Sequence, residues 1–260
     1  MANTANLMWM TPIIPIVTNG LVLYYDPSNT SSYSGSGLTM NDLSGQNNTA
    51  TLSTDNVLLP VWSSANGGIF QFSGVSGNDP YLNTPVSTSI NDLSAMTVSM
   101  WLNFDTNTSL SHLLFYKSNN NTSAGWFIEY AGNVGSTGLY GLDFSVVVTS
   151  NSRYAIAQNQ VPLGVWVNIV ATWNGVFPNP TIQFYINNVL NVSVPIVNTT
   201  GSGSRTTDSA EPLNFALHRS TGSLASDFVG YAGVLQIYNR VLSSTEISQN
   251  FNVIRSKYGL

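Results

Sequence analysis

The chain has 260 residues, of which 43% are apolar and only 7% are charged, against roughly 25% charged in ordinary soluble proteins. This length accommodates one large all-β domain or two small domains. The net charge of −5, with seven scattered basic residues, excludes a nucleic-acid partner, because neutralising phosphates needs clustered Lys and Arg. The absence of cysteine excludes disulfides and thiolate metal sites.

The N-terminal residues 1–19 form an apolar arm outside the strand pattern of the chain. Its run Leu7–Val17 is broken by two prolines, is too short for a membrane span and lacks the basic start of a signal peptide, so we expect no membrane insertion. An apolar segment must be covered. We predict that it binds a neighbouring subunit, with packing on its own domain as the alternative. The predicted contact residues are Leu7, Met8, Trp9, Met10, Ile13, Ile14, Ile16 and Val17.

Residues 20–260 show short β-like runs separated by turn residues, which predicts one all-β domain, a sandwich or a barrel. Pro60 favours an edge strand, and Asn187-Asn188 predicts a two-residue hairpin because Asn tolerates positive φ. The runs are Gly20–Tyr25, Val57–Trp62, Ile69–Phe72, Met96–Phe104, His112–Tyr116, Trp126–Tyr130, Leu139–Val148, Val165–Trp173, Thr181–Ile186, Val189–Val194, Leu213–Leu217 and Phe228–Tyr238.

A single helix is predicted near the C-terminus. Ser243 and Glu246 have the spacing of a capping box, in which each side chain bonds the backbone N–H of the other residue. The apolar residues Ile247, Phe251 and Ile254 follow at helical spacing, which gives one buried stripe. Gly259 is a suitable stop.

The opening and closing motifs of the domain resemble those of a known family. The opening motif is Gly-Leu-Val-Leu-Tyr-Tyr-Asp-Pro-Ser-Asn at 20–29, and the closing motif is Tyr-Asn-Arg-Val-Leu-Ser-Ser-Thr-Glu-Ile-Ser-Gln-Asn-Phe at 238–251. With Phe70–Tyr81, Val98–Leu102, Trp166–Asn174 and Tyr185–Asn188, the chain resembles the laminin-G-like branch of the concanavalin A-like jelly roll, of the kind found in structural proteins of phages and large viruses. The resemblance implies a two-sheet antiparallel sandwich and a frequent role in adhesion or glycan binding, sometimes with calcium.

Candidate catalytic groups are few. Glycoside hydrolysis needs two carboxyl groups about 5–10 Å apart, and the chain has three glutamates. Glu129 lies on a predicted strand and can face Asp143 on a nearby one. We interpret these two as separate solvated or hydrogen-bonded carboxylates, and expect no enzyme.

Two further sets of residues are candidates for ligand binding. Aromatic side chains beside polar groups suit glycans, and Asp and Asn in loops suit calcium, although they equally favour turns. The glycan candidates are Trp62, Trp126, Tyr130, Tyr140, Arg153 and Tyr154, and the calcium candidates are the two clusters Asp26 with Asn29 and Asn78 with Asp79.

These features predict a non-enzymatic structural protein of a virion, a capsid decoration, fibre or tail component, whose partners are other virion subunits or copies of itself. The alternative is an extracellular carbohydrate-binding adhesin that recognises a host surface glycan, with or without Ca²⁺. The second alternative is a glycosidase that uses Glu129.

Overall fold

The structure is a computed structural model. It describes residues 15–54, 58–73, 80–105, 112–119, 124–131, 141–149, 151–158, 161–176, 181–191, 196–197, 203–216 and 228–260, and of these it gives only the backbone at 54, 131, 151–158 and 196–197. In the described part, no helix is long and apolar enough to cross a membrane.

Seventeen strands and one α-helix follow one another along the described chain. They are β1 (Leu21–Tyr25), β2 (Thr39–Met40), β3 (Ala50–Thr54), β4 (Val61–Ser63), β5 (Ile69–Ser73), β6 (Pro80–Thr84), β7 (Met96–Phe104), β8 (His112–Asn119), β9 (Ala124–Ala131), β10 (Gly141–Val148), β11 (Asn151–Gln158), β12 (Trp166–Trp173), β13 (Ile182–Ile186), β14 (Val189–Leu190), β15 (Ile196–Val197), β16 (Leu213–Phe215), β17 (Val229–Tyr238) and α1 (Ser244–Ile254).

The strands form two antiparallel sheets. The eight-stranded sheet has the order β14-β13-β12-β7-β17-β5-β4, with β1 paired to the second half of β17. The nine-stranded sheet has the order β15-β11-β10-β9-β8-β16-β6-β3-β2. The main core lies between the sheets, where alternate residues such as Leu102 of β7 and Phe144 of β10 point inwards. The predicted all-β sandwich with one short C-terminal helix is confirmed.

Local signals in the sequence predicted several elements well. The hairpin between β13 and β14 has Asn187 and Asn188 at φ 48° and 67°, the left-handed values of a tight hairpin turn. The edge position expected at Pro60 is confirmed, because β4 ends its sheet. The sequence pattern missed β2, β3, β6, β11 and β15, which are short or polar.

The C-terminal segment covers the outer face of the eight-stranded sheet. The Ser243–Glu246 capping box forms as predicted. The ring of Trp101 on β7 stacks on Phe251 at 5.6 Å and on Tyr258 at 4.8 Å between centroids. The Tyr258 hydroxyl accepts a hydrogen bond of 3.0 Å from the backbone N–H of Val234. A Cβ on Gly233 would lie 1.9 Å from that hydroxyl, so the close approach requires glycine.

The end of the N-terminal arm packs on its own chain. Val17 is buried, its N–H donates to Asn250 Oδ1 at 2.8 Å, and its carbonyl accepts from the Tyr238 hydroxyl at 2.9 Å. Ile16 is half-buried against the same helix-covered surface. The predicted neighbour-binding role is therefore wrong for Val17, because partners more than 200 residues away in sequence hold it. For the half-buried Ile16 it stays a prediction. Leu7, Met8, Trp9, Met10, Ile13 and Ile14 lie outside the described residues.

We expect Tyr258→Phe to lower the free energy of unfolding by about 1–2 kcal/mol, because it leaves the buried Val234 N–H without its acceptor. Urea unfolding measures the change. The matched control is Tyr231→Phe on β17, the strand that contains Val234. Tyr231 is 36% exposed, and we expect the loss of its hydroxyl to cost less than about 0.5 kcal/mol. Equal stability of the two variants would contradict the proposed role of the hydroxyl.

Candidate functional site

A cleft of about 360 Å³ lies at one end of the sandwich. Three segments line it: residues 92–94 before β7, residues 173–175 at the end of β12, and residues 204–207 between β15 and β16. The last segment lies against the end of β10, since Thr206 N–H donates to the Val147 carbonyl at 3.0 Å. Gly175 has φ +67°, and a Cβ there would lie 1.6 Å from the Ser94 carbonyl oxygen, so two of the walls touch.

Two aspartates hold the rim of the cleft in a reciprocal clasp. The backbone N–H of Asp92 donates to Asp208 Oδ1 at 2.7 Å, and the backbone N–H of Asp208 donates to Asp92 Oδ1 at 2.8 Å. The Thr207 hydroxyl donates to Asp92 Oδ2 at 3.0 Å. The clasp maintains Asp92 at φ 49°, a conformation that costs energy in a non-glycine residue. The rim is therefore formed before any ligand arrives.

The clasp also sets the charge of Asp92. Partial burial raises the pKa of its carboxyl group, but the hydrogen bonds from Asp208 and Thr207 and the nearby charge of Arg205 offset this, so that the pKa lies below its ordinary value. Asp92 is exposed at the rim and is a carboxylate at neutral pH.

Arg205 forms the floor of the cleft. Its guanidinium carbon lies 5.7 Å from the centroid of the Trp173 ring, a cation–π arrangement. Nη1 donates to the Leu93 carbonyl at 2.9 Å, and Nη2 forms an ion pair with Asp208. Its side chain is only 9% exposed, and Nε is buried without an acceptor in the described part of the chain. Burial lowers the pKa of Arg205, and the charge of Asp208 offsets this only in part. A guanidinium nevertheless stays charged in such a site.

Lys117 supports the floor from the interior. Its side chain is fully buried, and Nζ donates to the Asp208 carbonyl at 3.0 Å and the Glu211 carbonyl at 2.5 Å, with Asp208 Oδ1 at 3.8 Å. Burial lowers the pKa of Lys117, and Asp208 partly restores it. The two cations and the two aspartates balance, so the cluster has no excess positive charge for an anion.

The aromatic residues predicted to contact glycans are mostly elsewhere. Trp126 and Tyr130 are 1% and 5% exposed in the core, because they point inwards from β9 while Phe127 and Glu129 point outwards, so the prediction is wrong for both. Trp62 is half-buried, with its indole N–H donating to the Pro27 carbonyl at 3.1 Å. Tyr140 lies outside the described residues, and Arg153 and Tyr154 lie on β11, where only the backbone is described.

The first predicted calcium cluster, Asp26 with Asn29, does not fit a calcium ion. The carboxylate of Asp26 is 2.7 Å from Lys257 Nζ and accepts the Ser28 hydroxyl at 2.6 Å, so an ammonium group occupies the position that an ion would take. Asn29 Oδ1 accepts the Ser31 N–H at 2.9 Å in a turn. Asn78 and Asp79 lie outside the described residues and stay a prediction. The described residues contain no group of three His, Asp or Glu side chains that could hold a metal ion.

The structure brings together the two carboxyl groups that the sequence analysis interpreted as separate. Glu129 on β9 lies directly opposite Asp143 on β10, on the outer face of the nine-stranded sheet. Burial raises the pKa of Glu129 to about 7. Burial and the charge of Glu129 raise the pKa of Asp143 well above its ordinary value, although the Ser145 hydroxyl donates to it at 3.0 Å. Glu129 and Asp143 do not line the cleft, so they form a separate polar cluster.

Comparison with known proteins identifies the family. The model of the concanavalin A-like lectin/glucanases superfamily matches residues 76–248. The chain belongs to this superfamily. No protein with a curated description matches the chain in sequence.

Among solved structures, the chain is similar to binding domains of clostridial toxins. The binding domain of Paraclostridial Mosquitocidal Protein 1 has a TM-score of 0.64 and 16% identity, with 90% of this chain and 52% of that chain covered. A structure of botulinum neurotoxin type C, whose cell entry depends on two ganglioside molecules, has a TM-score of 0.63 and 16% identity. The match covers 92% of this chain and 52% of that chain. The binding domain of botulinum neurotoxin DC in complex with SialylT has a TM-score of 0.59 and 14% identity. The match covers 91% of this chain and 52% of that chain.

These likenesses show the fold of the chain and assign no ligand to it. The chain spans about half the length of those toxin structures, with 52% of each covered. The solved structures it resembles are named as binding domains, and the superfamily includes both lectins and glucanases.

The carboxyl pair predicts an unusual pH dependence of stability. In the unfolded chain Glu129 ionises near pH 4.5, but in the folded protein its pKa is about 7. A raised folded pKa means that this group favours folding at low pH and costs stability as the pH rises from about 4.5 to about 7. We therefore expect Glu129→Gln to stabilise the protein by about 1–3 kcal/mol at pH 8 and to have little effect at pH 4, measured by urea unfolding.

Glu246→Gln is the matched control, because the pKa of Glu246 is shifted in the opposite direction. Its hydrogen bonds from Arg240 and from the Ser243 N–H lower the pKa of Glu246 to about 2, so that its contribution is present above pH 4.5 and is lost as the pH falls through 2. We expect this variant to cost about 1 kcal/mol at pH 8 and less at pH 3. The interpretation of the pair fails if Glu129→Gln destabilises the protein equally at both pH values.

Proposed function

We propose that this domain is a non-enzymatic carbohydrate-binding domain and that the cleft at Arg205 is its ligand site. The observation that carries the proposal is a preformed concave site whose floor is a buried guanidinium on a Trp ring and whose rim is hydroxyls and one carboxylate. A few convergent polar groups beside apolar side chains, here Leu93 and Trp173, are typical of small-molecule sites. The fold shared with toxin binding domains, two of them studied with ganglioside or SialylT, supports this class.

The size and chemistry of the cleft favour a saccharide over other small ligands. A volume of about 360 Å³ is at the lower end for ligand sites and suits about one or two sugar rings. The exposed side chains of Asp92, Ser94 and Ser204 can exchange hydrogen bonds with sugar hydroxyls. A phosphate ligand is disfavoured because Arg205 and Lys117 are already paired.

The proposal that the domain is not an enzyme rests on the carboxyl pair. Glycoside hydrolysis needs one protonated and one ionised carboxyl group with room for a sugar between them. Glu129 and Asp143 are adjacent across two strands, Asp143 is 7% exposed, and both pKa values are raised. Burial and mutual repulsion account for both shifts, and the Asp143 carboxyl group is too enclosed to contact a sugar, which suits a structural pair.

We further propose that the domain acts in a virion, as a capsid decoration, fibre or tail component, and that the apolar arm binds another virion subunit or a second copy of the chain. Residues 15–17 are fixed beside α1, in part by the Gln249 side chain, which donates to the Pro15 carbonyl at 2.7 Å. Residues 1–14, which include the apolar run from Leu7, are joined to the domain at Pro15. This supports a contact role for residues 1–14 and a structural role for residues 15–17.

Carbohydrate binding is tested with a glycan array followed by calorimetry on the best binder. We expect Ser204→Tyr, which fills the cleft, to weaken binding by about tenfold or more, because a ring then occupies the space for the sugar. Ser256→Tyr, at an exposed serine of the C-terminal segment outside the cleft lining, is the matched control and should bind like the wild type. An array without any binder at high protein concentration contradicts the function, and equal binding by both variants contradicts the cleft.

Two truncations separate the roles of the arm. Deleting residues 2–14 should leave the unfolding midpoint unchanged but abolish self-association or incorporation into particles, measured by light scattering or virion purification. Deleting residues 2–19 should in addition lower the free energy of unfolding by about 2–4 kcal/mol, because it removes the buried Val17 and its two hydrogen bonds. Normal assembly by the 2–14 deletion would refute the arm contact.

A further inference from the structure

The charges around the cleft restrict which saccharide it can take. Of the described residues that line it, Asp92 and Arg205 are the charged ones. Asp92 is exposed at the rim, whereas the Arg205 side chain is 9% exposed on the floor. An incoming ligand therefore meets a carboxylate before it meets the guanidinium.

The guanidinium has little capacity left for an anion. One terminal nitrogen bonds the Leu93 carbonyl, the other pairs with Asp208, and one face of the group lies on Trp173. Bidentate recognition of a ligand carboxylate needs two accessible parallel N–H groups. Each terminal nitrogen already uses one of its two N–H groups, and the side chain is only 9% exposed, so such a pair is not presented to the cleft. The buried Nε, without an acceptor in the described residues, can offer a single bond after a small adjustment of the rim, which suits a hydroxyl or ring oxygen.

We infer that the cleft selects neutral saccharides and rejects those carrying a carboxylate, such as sialylated or uronic-acid sugars. This inference rests on the proposed carbohydrate-binding function and names the ligand class of that site. Repulsion between two carboxylates about 6 Å apart near a protein surface amounts to roughly hundredfold in affinity without screening. Salt and the nearby charge of Arg205 reduce this to roughly tenfold. The net charge of −5 adds to this at long range.

The inference is tested on matched pairs of oligosaccharides that differ only in an acidic group, for example lactose and sialyllactose, by calorimetry at 50 mM and 500 mM salt. We expect the neutral member of each bound pair to bind about tenfold or more tightly at 50 mM salt, and the difference to shrink at 500 mM. Asp92→Asn should reduce the difference, because it removes the rim charge but keeps the Oδ1 acceptor and tolerates the positive φ. Asp105→Asn, an exposed carboxylate outside the cleft lining, is the control with the same change in net charge.

The outcomes separate the inference from the function on which it rests. Equal or tighter binding of the acidic members overturns the selectivity and leaves the carbohydrate-binding function standing. Absence of binding to every pair, together with an empty array, overturns the function itself. If Asp92→Asn fails to fold, the salt dependence of the wild-type protein decides: an acidic sugar that binds more tightly at low salt than at high salt contradicts repulsion at the rim.

Discussion

The buried carboxylate of Asp208 is the group on which the cleft end of the sandwich depends. It lies beside two cations, one fully buried on β8 and one on the cleft floor. Removing one member of such a cluster leaves an uncompensated charge in a poorly solvated site, at a cost of about 3–5 kcal/mol. The same residue receives the Asp92 N–H, so that the cation pairing and the rim geometry are linked. Charge neutralisation in the interior thus fixes the shape of the surface.

Local signals made much of the fold predictable. The capping box at Ser243, the Asn187-Asn188 turn and the alternation in Met96–Phe104 each involve residues close in sequence, and all three have the expected structure. Such signals work because the interacting groups lie within a few residues, where backbone geometry alone determines their contact. The fold class follows from the sum of these elements.

The cleft and the carboxyl pair could not be predicted in the same way. Asp92 and Asp208 are 116 positions apart, and neither belongs to a motif. The pairing of Glu129 with Asp143 depends on strand register, and shifting the register by one residue turns every side chain to the other face. Trp126 and Tyr130 were misassigned for the same reason, since an aromatic residue on a strand does not reveal which face is the core. Which face of a strand is buried is decided by its pairing with strands distant in sequence.

The few basic side chains of the domain are mostly used in internal contacts. Of the five basic side chains that the structure describes, four form ion pairs within the domain: Lys117, Arg205, Arg240 and Lys257. Their charges stabilise the cleft floor, the helix cap and the loop after β1, and so contribute little to attraction of outside anions. The groups left at the cleft rim are hydroxyls and one carboxylate, which favour hydrogen-bonded recognition of uncharged, hydroxyl-rich ligands. This distribution of charge supports the proposed binding of neutral sugars.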